Sequence, residues 1–187
     1  LSPDRVALAN YLFADMFAME AEKYVPAISL PLVLRRLSLD RVDWFKTDSQ
    51  GMDLRLFRSL PDAVRPGVLA ADIEPGLTDA YLGEDLFTAA HDYFMANGFW
   101  LSRLVVKGGV RARAQGVALL RSSGYLVNKE NLMRGVRPSP CWCEARYLRT
   151  LEWLESHAGR SREYILLWAF ALLDEQPGFA LDVAVEL

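Results

Sequence analysis

The chain is poor in the residues that would place it outside the ordinary globular class. Among 187 residues there are two cysteines, Cys141 and Cys143, two histidines, and no glycine before Gly51. Two cysteines are too few for a disulfide scaffold and fit a reducing compartment, so the expected location is cytoplasmic. No run approaches the roughly 18–20 apolar residues of a membrane span, so no membrane partner is expected. There is no excess of basic charge: net charge is −3, which argues against a nucleic-acid partner. Lysine is scarce too, and the bias towards arginine fits the codon usage of a GC-rich genome. The opening Leu1-Ser2-Pro3-Asp4-Arg5 has no basic stretch followed by an apolar one, so it does not read as a signal peptide.

What remains is a balanced composition, 52% hydrophobic and 24% charged, with enough chain for one domain with a core. Apolar residues at three- and four-residue spacing predict a helix within 5–24, and Pro31 in a first turn predicts a short one over 27–38. Val42–Asp48 reads as a strand closed by Ser49-Gln50-Gly51, followed by a helix over 54–60. The near-continuous apolar run 68–73 reads as a strand buried on both faces, ending in the turn Glu74-Pro75-Gly76. A helix over 84–97 is closed by Gly98, and 99–105 and 117–120 read as a third and a fourth strand, pairing antiparallel across a long loop. Residues 124–140 read as loop, 143–156 and 162–174 as helices, and 179–187 as a helical turn or two. Alternation of this kind predicts an α/β fold whose sheet is mostly parallel, with helices on its faces.

In an open parallel sheet, ligands bind beyond the carboxyl ends of the strands. Two such ends are acidic: Asp48-Ser49-Gln50-Gly51 with Asp53, and Asp72-Ile73-Glu74 with Asp79 and Tyr81. Parallel strands bring both loops to one edge, so several carboxylates would face one crevice, beside Gln50 and His91. The plainer alternative is that Asp48 caps the following helix and that Asp72 is a solvated strand end. Cys141-Trp142-Cys143 has neither the redox spacing nor enough partner ligands for zinc. His157 reads as a helix C-terminal cap. No phosphate loop or nucleophile elbow is present.

The stretch Asp43-Trp-Phe-Lys-Thr-Asp48-Ser-Gln-Gly51-Met-Asp53-Leu resembles the FkbM-type methyltransferases, whose signature here is a strand ending K-I-D-x-E-G and then an acidic residue. Lys46, Asp48, Gly51 and Asp53 match, whereas Gln50 stands where Glu is usual and Thr47 where Ile is usual. Ile28-Ser29-Leu30 resembles the segment leading into this strand, Ala71-Asp72-Ile73-Glu74 the next strand, the segment Leu86-Phe87 to Gly98-Phe99 the helix and strand after it, and Gly116–Arg121 the closing antiparallel strand. The resemblance covers residues 28–121. It implies a Rossmann-like methyltransferase sheet, mostly parallel with a terminal antiparallel strand. Residues 1–123 would be the C-terminal part of that domain, and 124–187 a loop and helical extension packed on it.

By the same resemblance the cofactor is S-adenosylmethionine and the partner a small-molecule acceptor with a hydroxyl group. Asp48 is the expected catalytic residue, with Asp48, Ser49 and Gly51 near the methyl donor. Gln50, Asp53, Glu74 and Asp79 would bind the acceptor. The family's donor site also needs a glycine-rich loop after its first strand and an acidic residue after its second, and this sequence has neither. The expectation is therefore that Leu1 lies within a longer protein and that the donor-binding half of the sheet precedes it. Two other functions compete: a non-catalytic Rossmann-like binding module, with self-association through its C-terminal helices, and a metal-assisted hydrolase using Asp48, Asp72, Glu74 and Asp79.

Overall fold

A computed structural model describes residues 1–124, 137–157 and 160–187. Its centre is a four-stranded sheet in the order β1-β2-β4-β3, formed by Trp44–Lys46 (β1), Ala70–Ile73 (β2), Phe99–Gly109 (β3) and Ser139–Arg149 (β4). β1 pairs with β2 in parallel, and β4 pairs antiparallel with both β2 and β3. β1, β2 and β3 thus run one way and β4 alone runs the other.

Both faces of the sheet are covered, and alternation along each strand decides which face a side chain joins. Phe45, Ala71, Ile73, Phe99, Cys143, Ala145 and Tyr147 pack on one face. They meet Leu34 from α2 (Leu30–Arg36), Leu54 and Phe57 from α3 (Asp53–Arg58), and Ala90 and Phe94 from α4 (Phe87–Ala96). Trp44, Ala70, Trp100 and Leu148 point to the other face. There they meet Leu154 of α6 (Leu151–Ser156), Leu167 and Ala171 of α7 (Ser161–Leu173), and Ala180 and Val183 of α8 (Pro177–Val185). Burial on both sides is why Val68–Ile73 carries almost no polar residue.

Several expectations fail. The sheet expected to be mostly parallel is mixed, with only the β1–β2 pairing parallel. The N-terminal helix reduces to α1 (Arg5–Leu8), capped by the Asp4 carboxylate, and a 3₁₀ turn over Ala14–Phe17. Residues 117–120 lie within the helix α5 (Ala114–Ser122), so they are no strand. The segment expected to begin a helix at 143 is instead most of β4. Tyr147, Leu148, Leu151 and Leu154 do fall at helical spacing, but the first two belong to β4 and the last two to α6. Thr150 accepts from the backbone N–H of Trp153 and caps α6 there. The antiparallel partner of β3 is therefore real but lies further along the chain. The boundary expected after residue 123 falls between two strands of one sheet. The loop expected over 124–140 lies mostly outside the described residues.

Arg149, at the end of β4, is almost wholly buried. Its guanidinium donates to the carbonyls of Val68, Arg65, Pro66 and Asn97. It also lies 3.6 Å from the centroid of the Phe99 ring and 4.5 Å from that of Trp153. Burial lowers its pKa to about 9, which still leaves it charged at neutral pH. Arg149→Met leaves buried carbonyls without donors and is expected to cost at least about 3 kcal/mol of stability in urea unfolding. Arg149→Lys recovers only part of this, because an ammonium cannot span the same carbonyls. A loss below about 1 kcal/mol for the methionine variant would refute the assignment.

Candidate functional site

Because β1 and β2 run parallel, their carboxyl ends open on the same edge of the sheet. The turn after β1 is tight: Gln50 (φ +55°) and Gly51 (φ +93°) both adopt left-handed backbone. The Gln50 amide donates to Asp48 Oδ1 at 2.8 Å, and the Tyr81 hydroxyl donates to Gln50 Oε1 at 2.8 Å. Gln50 therefore ties the first acidic turn to the segment that follows the second.

Glu84 holds the two turns together. Its carboxylate accepts from the backbone N–H groups of Ala80 and Tyr81. A Cβ on Gly51 would lie 2.5 Å from Glu84 Cβ, and one on Gly76 would lie 2.7 Å from Glu84 Oε2. Both positions thus need glycine for this approach. The backbone is stapled as well, with Asp85 N–H donating to the Gly51 carbonyl and Phe87 N–H to that of Gly76.

Between these turns and the N-terminal segment lies a cavity of about 460 Å³. Asp48, Gln50, Gly51, Glu74 and Asp79 all line it, as do Tyr81 and Glu84. Its opposite wall is apolar and comes from Leu8, Leu12, Phe13, Met16, Phe17 and Trp142. The N-terminal segment is held there by backbone bonds, Asp4 N–H to the Ala80 carbonyl, Leu82 N–H to that of Ser2 and Leu12 N–H to that of Val110. Phe13 stacks on Tyr11 and meets the edge of Trp142, and Phe17 meets Tyr81. The one hint of this wall in the sequence is the apolar set Leu8, Leu12, Phe13, Met16 and Phe17. It demands a partner surface whether or not a long helix forms.

Ser49 and Asp53 do not line the cavity. Asp53 is fully buried at the start of α3, where its Oδ1 accepts from the Ser49 N–H at 3.3 Å and its Oδ2 has no partner. It holds the turn from behind, at the favourable end of the helix dipole. Asp72 points to the other face of the sheet, where it accepts from the Trp44 indole N–H at 3.0 Å and from Arg146. Arg146 in turn donates to Asp174 at 2.7 Å, which anchors the end of α7. His91 stacks on Phe87, with Nδ1 3.3 Å from the Tyr147 hydroxyl, away from the cavity. His157 stacks on Trp153 at the end of α6. Cys141 and Cys143 are free and buried, and burial raises both thiol pKa values, that of Cys143 to about 11. Among the described residues, no three His, Cys, Asp or Glu side chains form a group that could hold a metal ion. No described helix is long and apolar enough to cross a membrane.

The cavity carboxylates are crowded. Burial raises the pKa of Glu74, reinforced by the charges of Asp48 and Glu144, and Lys46 only partly offsets this. Burial also raises Glu84 and Asp53, against the hydrogen bonds that each accepts. Among the described residues no Lys or Arg lines the cavity. No family model matches the chain, and no curated protein or solved structure matches it either.

A carboxyl group whose pKa is higher in the folded than in the unfolded state takes up protons more readily when folded. The stability it withholds at neutral pH returns as the pH falls through its folded pKa, and the gain ends near its ordinary value, 3.8 for Asp53. Asp53→Asn removes this contribution. The melting temperature of wild type relative to Asp53→Asn is therefore expected to rise as the pH is lowered from 7 towards 4. A gap that does not change with pH would contradict the assignment.

Proposed function

We propose that the chain is the acceptor-binding part of an S-adenosylmethionine-dependent O-methyltransferase of FkbM type. The observation that supports this best is the direction of the strands. Three run together and the last in sequence runs against them, the order of directions that the resemblance implies, although that last strand is Ser139–Arg149 and not Gly116–Arg121, which is helical. The cavity opens at the carboxyl ends of the parallel pair, where such sheets bind their ligands.

S-adenosylmethionine is the methyl donor in this reading, and the residues present do not fit it as a whole. Asp48 suits a cationic group, but no glycine-rich cradle precedes Gly51 and no described cation lines the cavity to meet the donor's carboxylate. What these residues do fit is the acceptor. Asp48 accepts a hydrogen bond from the acceptor hydroxyl and takes its proton as the oxygen becomes nucleophilic. Gln50 holds the Asp48 carboxylate in place, and Tyr81 holds Gln50. Glu74 and Asp79 accept from other polar groups of the acceptor, and the apolar wall excludes water.

The lack of fit to the donor supports one other reading, a binding module without catalysis. Exposed Ile165, Leu172, Leu173, Leu181 and Val185 on α7 and α8 would then serve self-association.

The test is methyl transfer from labelled S-adenosylmethionine to hydroxylated acceptors, by the protein with all the coding sequence its gene carries. Asp48→Asn is expected to lower kcat by about 100-fold or more with an unchanged circular dichroism spectrum. Full transfer by that variant would sink the assignment of Asp48. No transfer to any acceptor would favour the binding module.

A further inference from the structure

The two walls of the cavity differ in kind, and that difference selects a ligand class. One wall is aromatic and aliphatic, with the rings of Phe13, Phe17, Tyr81 and Trp142 around the space. The other carries the carboxylates of Asp48, Glu74 and Asp79, none of which forms an ion pair among the described residues. The nearby guanidinium of Arg111 lies over the Tyr11 ring, 5.6 Å from its centroid, and is not part of the lining. A volume of about 460 Å³ suits a compact organic molecule.

We propose that the cavity takes an amphiphile: an apolar ring or short chain seated on Phe13, Phe17 and Trp142, and a neutral or cationic hydrogen-bond-donating head among Asp48, Glu74 and Asp79. Anionic heads such as carboxylates and phosphates are refused. They would meet several like charges, which Lys46 beside Glu74 only partly offsets. A protonated amine is preferred over a hydroxyl alone, because it meets both carboxylates and ring faces. The inference deepens the methyl-transfer reading by naming its acceptor class, and it rests on that reading only for the hydroxyl that would be methylated.

The N-terminal segment is then the specificity-determining wall. It reaches the sheet at Gly109, where an added Cβ would lie 2.1 Å from the Phe13 ring. Gly109→Ala therefore displaces Phe13 without altering any carboxylate.

Three probes that share one body test the idea by calorimetric titration: 2-(2-naphthyl)ethylamine, 2-(2-naphthyl)ethanol and 2-naphthylacetate. The expected order is amine, then alcohol, then carboxylate, with the amine at least tenfold tighter than the carboxylate. Asp79→Asn should narrow the gap between amine and carboxylate and weaken the alcohol less than the amine. Phe13→Ala and Gly109→Ala should weaken all three by about fivefold or more. If Phe13→Ala fails to fold, Met16→Ala probes the same wall from an exposed position. Equal affinity for the three probes, tightest binding of the carboxylate, or no binding of any of them would overturn the proposal. Binding in the expected order without methyl transfer would leave this inference standing and remove the enzymatic reading. Methyl transfer to an acceptor with an anionic head would do the reverse.

Discussion

Arg149 closes the one strand that runs against the other three, and its buried guanidinium ties together the parts that this strand brings into contact. It bonds the carbonyls just before β2 and the carbonyl at the end of α4, and it lies against the rings of Phe99 and Trp153. The strand β4 has partners on both sides, so its register decides where β2 and β3 sit relative to each other. A buried cation is tolerable there because carbonyl oxygens and ring faces replace its water. Arg146, three residues earlier and so on the opposite face, ties the sheet to Asp174 at the end of α7. The two arginines thus fasten the two helical layers to one strand.

The candidate site depends on this sheet without being part of its core. Parallel pairing of β1 and β2 brings two acidic turns to one edge. The segment 77–86 then closes over both, with Glu84 packed against Gly51 and Gly76. The N-terminal segment completes the enclosure from the far side. Each contributor lies far from the others in sequence, and none forms a cavity alone. Their combination explains how a cavity with so acidic one side can be so apolar on the other.

Carboxylates that look equivalent in the sequence divide into three roles by direction alone. Asp48, Glu74 and Asp79 face the cavity. Asp53 turns inward beneath the turn, where burial raises its pKa. Asp72 turns to the other face of the sheet and pairs with Arg146. The methyl-transfer reading uses only the first group, and the metal-assisted alternative loses Asp72 from its ligand set.

Local pattern was sufficient wherever an element's apolar periodicity was uninterrupted. Strands β1 and β2, the helices α3, α4 and α7, and the acidic turns after the first two strands were all legible this way, since short-range spacing and turn residues alone define them. The sequence also carried the expectation that the two acidic turns share an edge, and the parallel pairing of β1 and β2 bears it out. Only the tertiary structure decided that Ser139–Arg149 is a strand, since β3 and β2 supply its hydrogen bonds from both sides and override a helical spacing at Tyr147 and Leu148. It alone decided that Leu8 to Phe17 form a cavity wall, because an apolar stripe specifies a need for burial but not the surface that meets it.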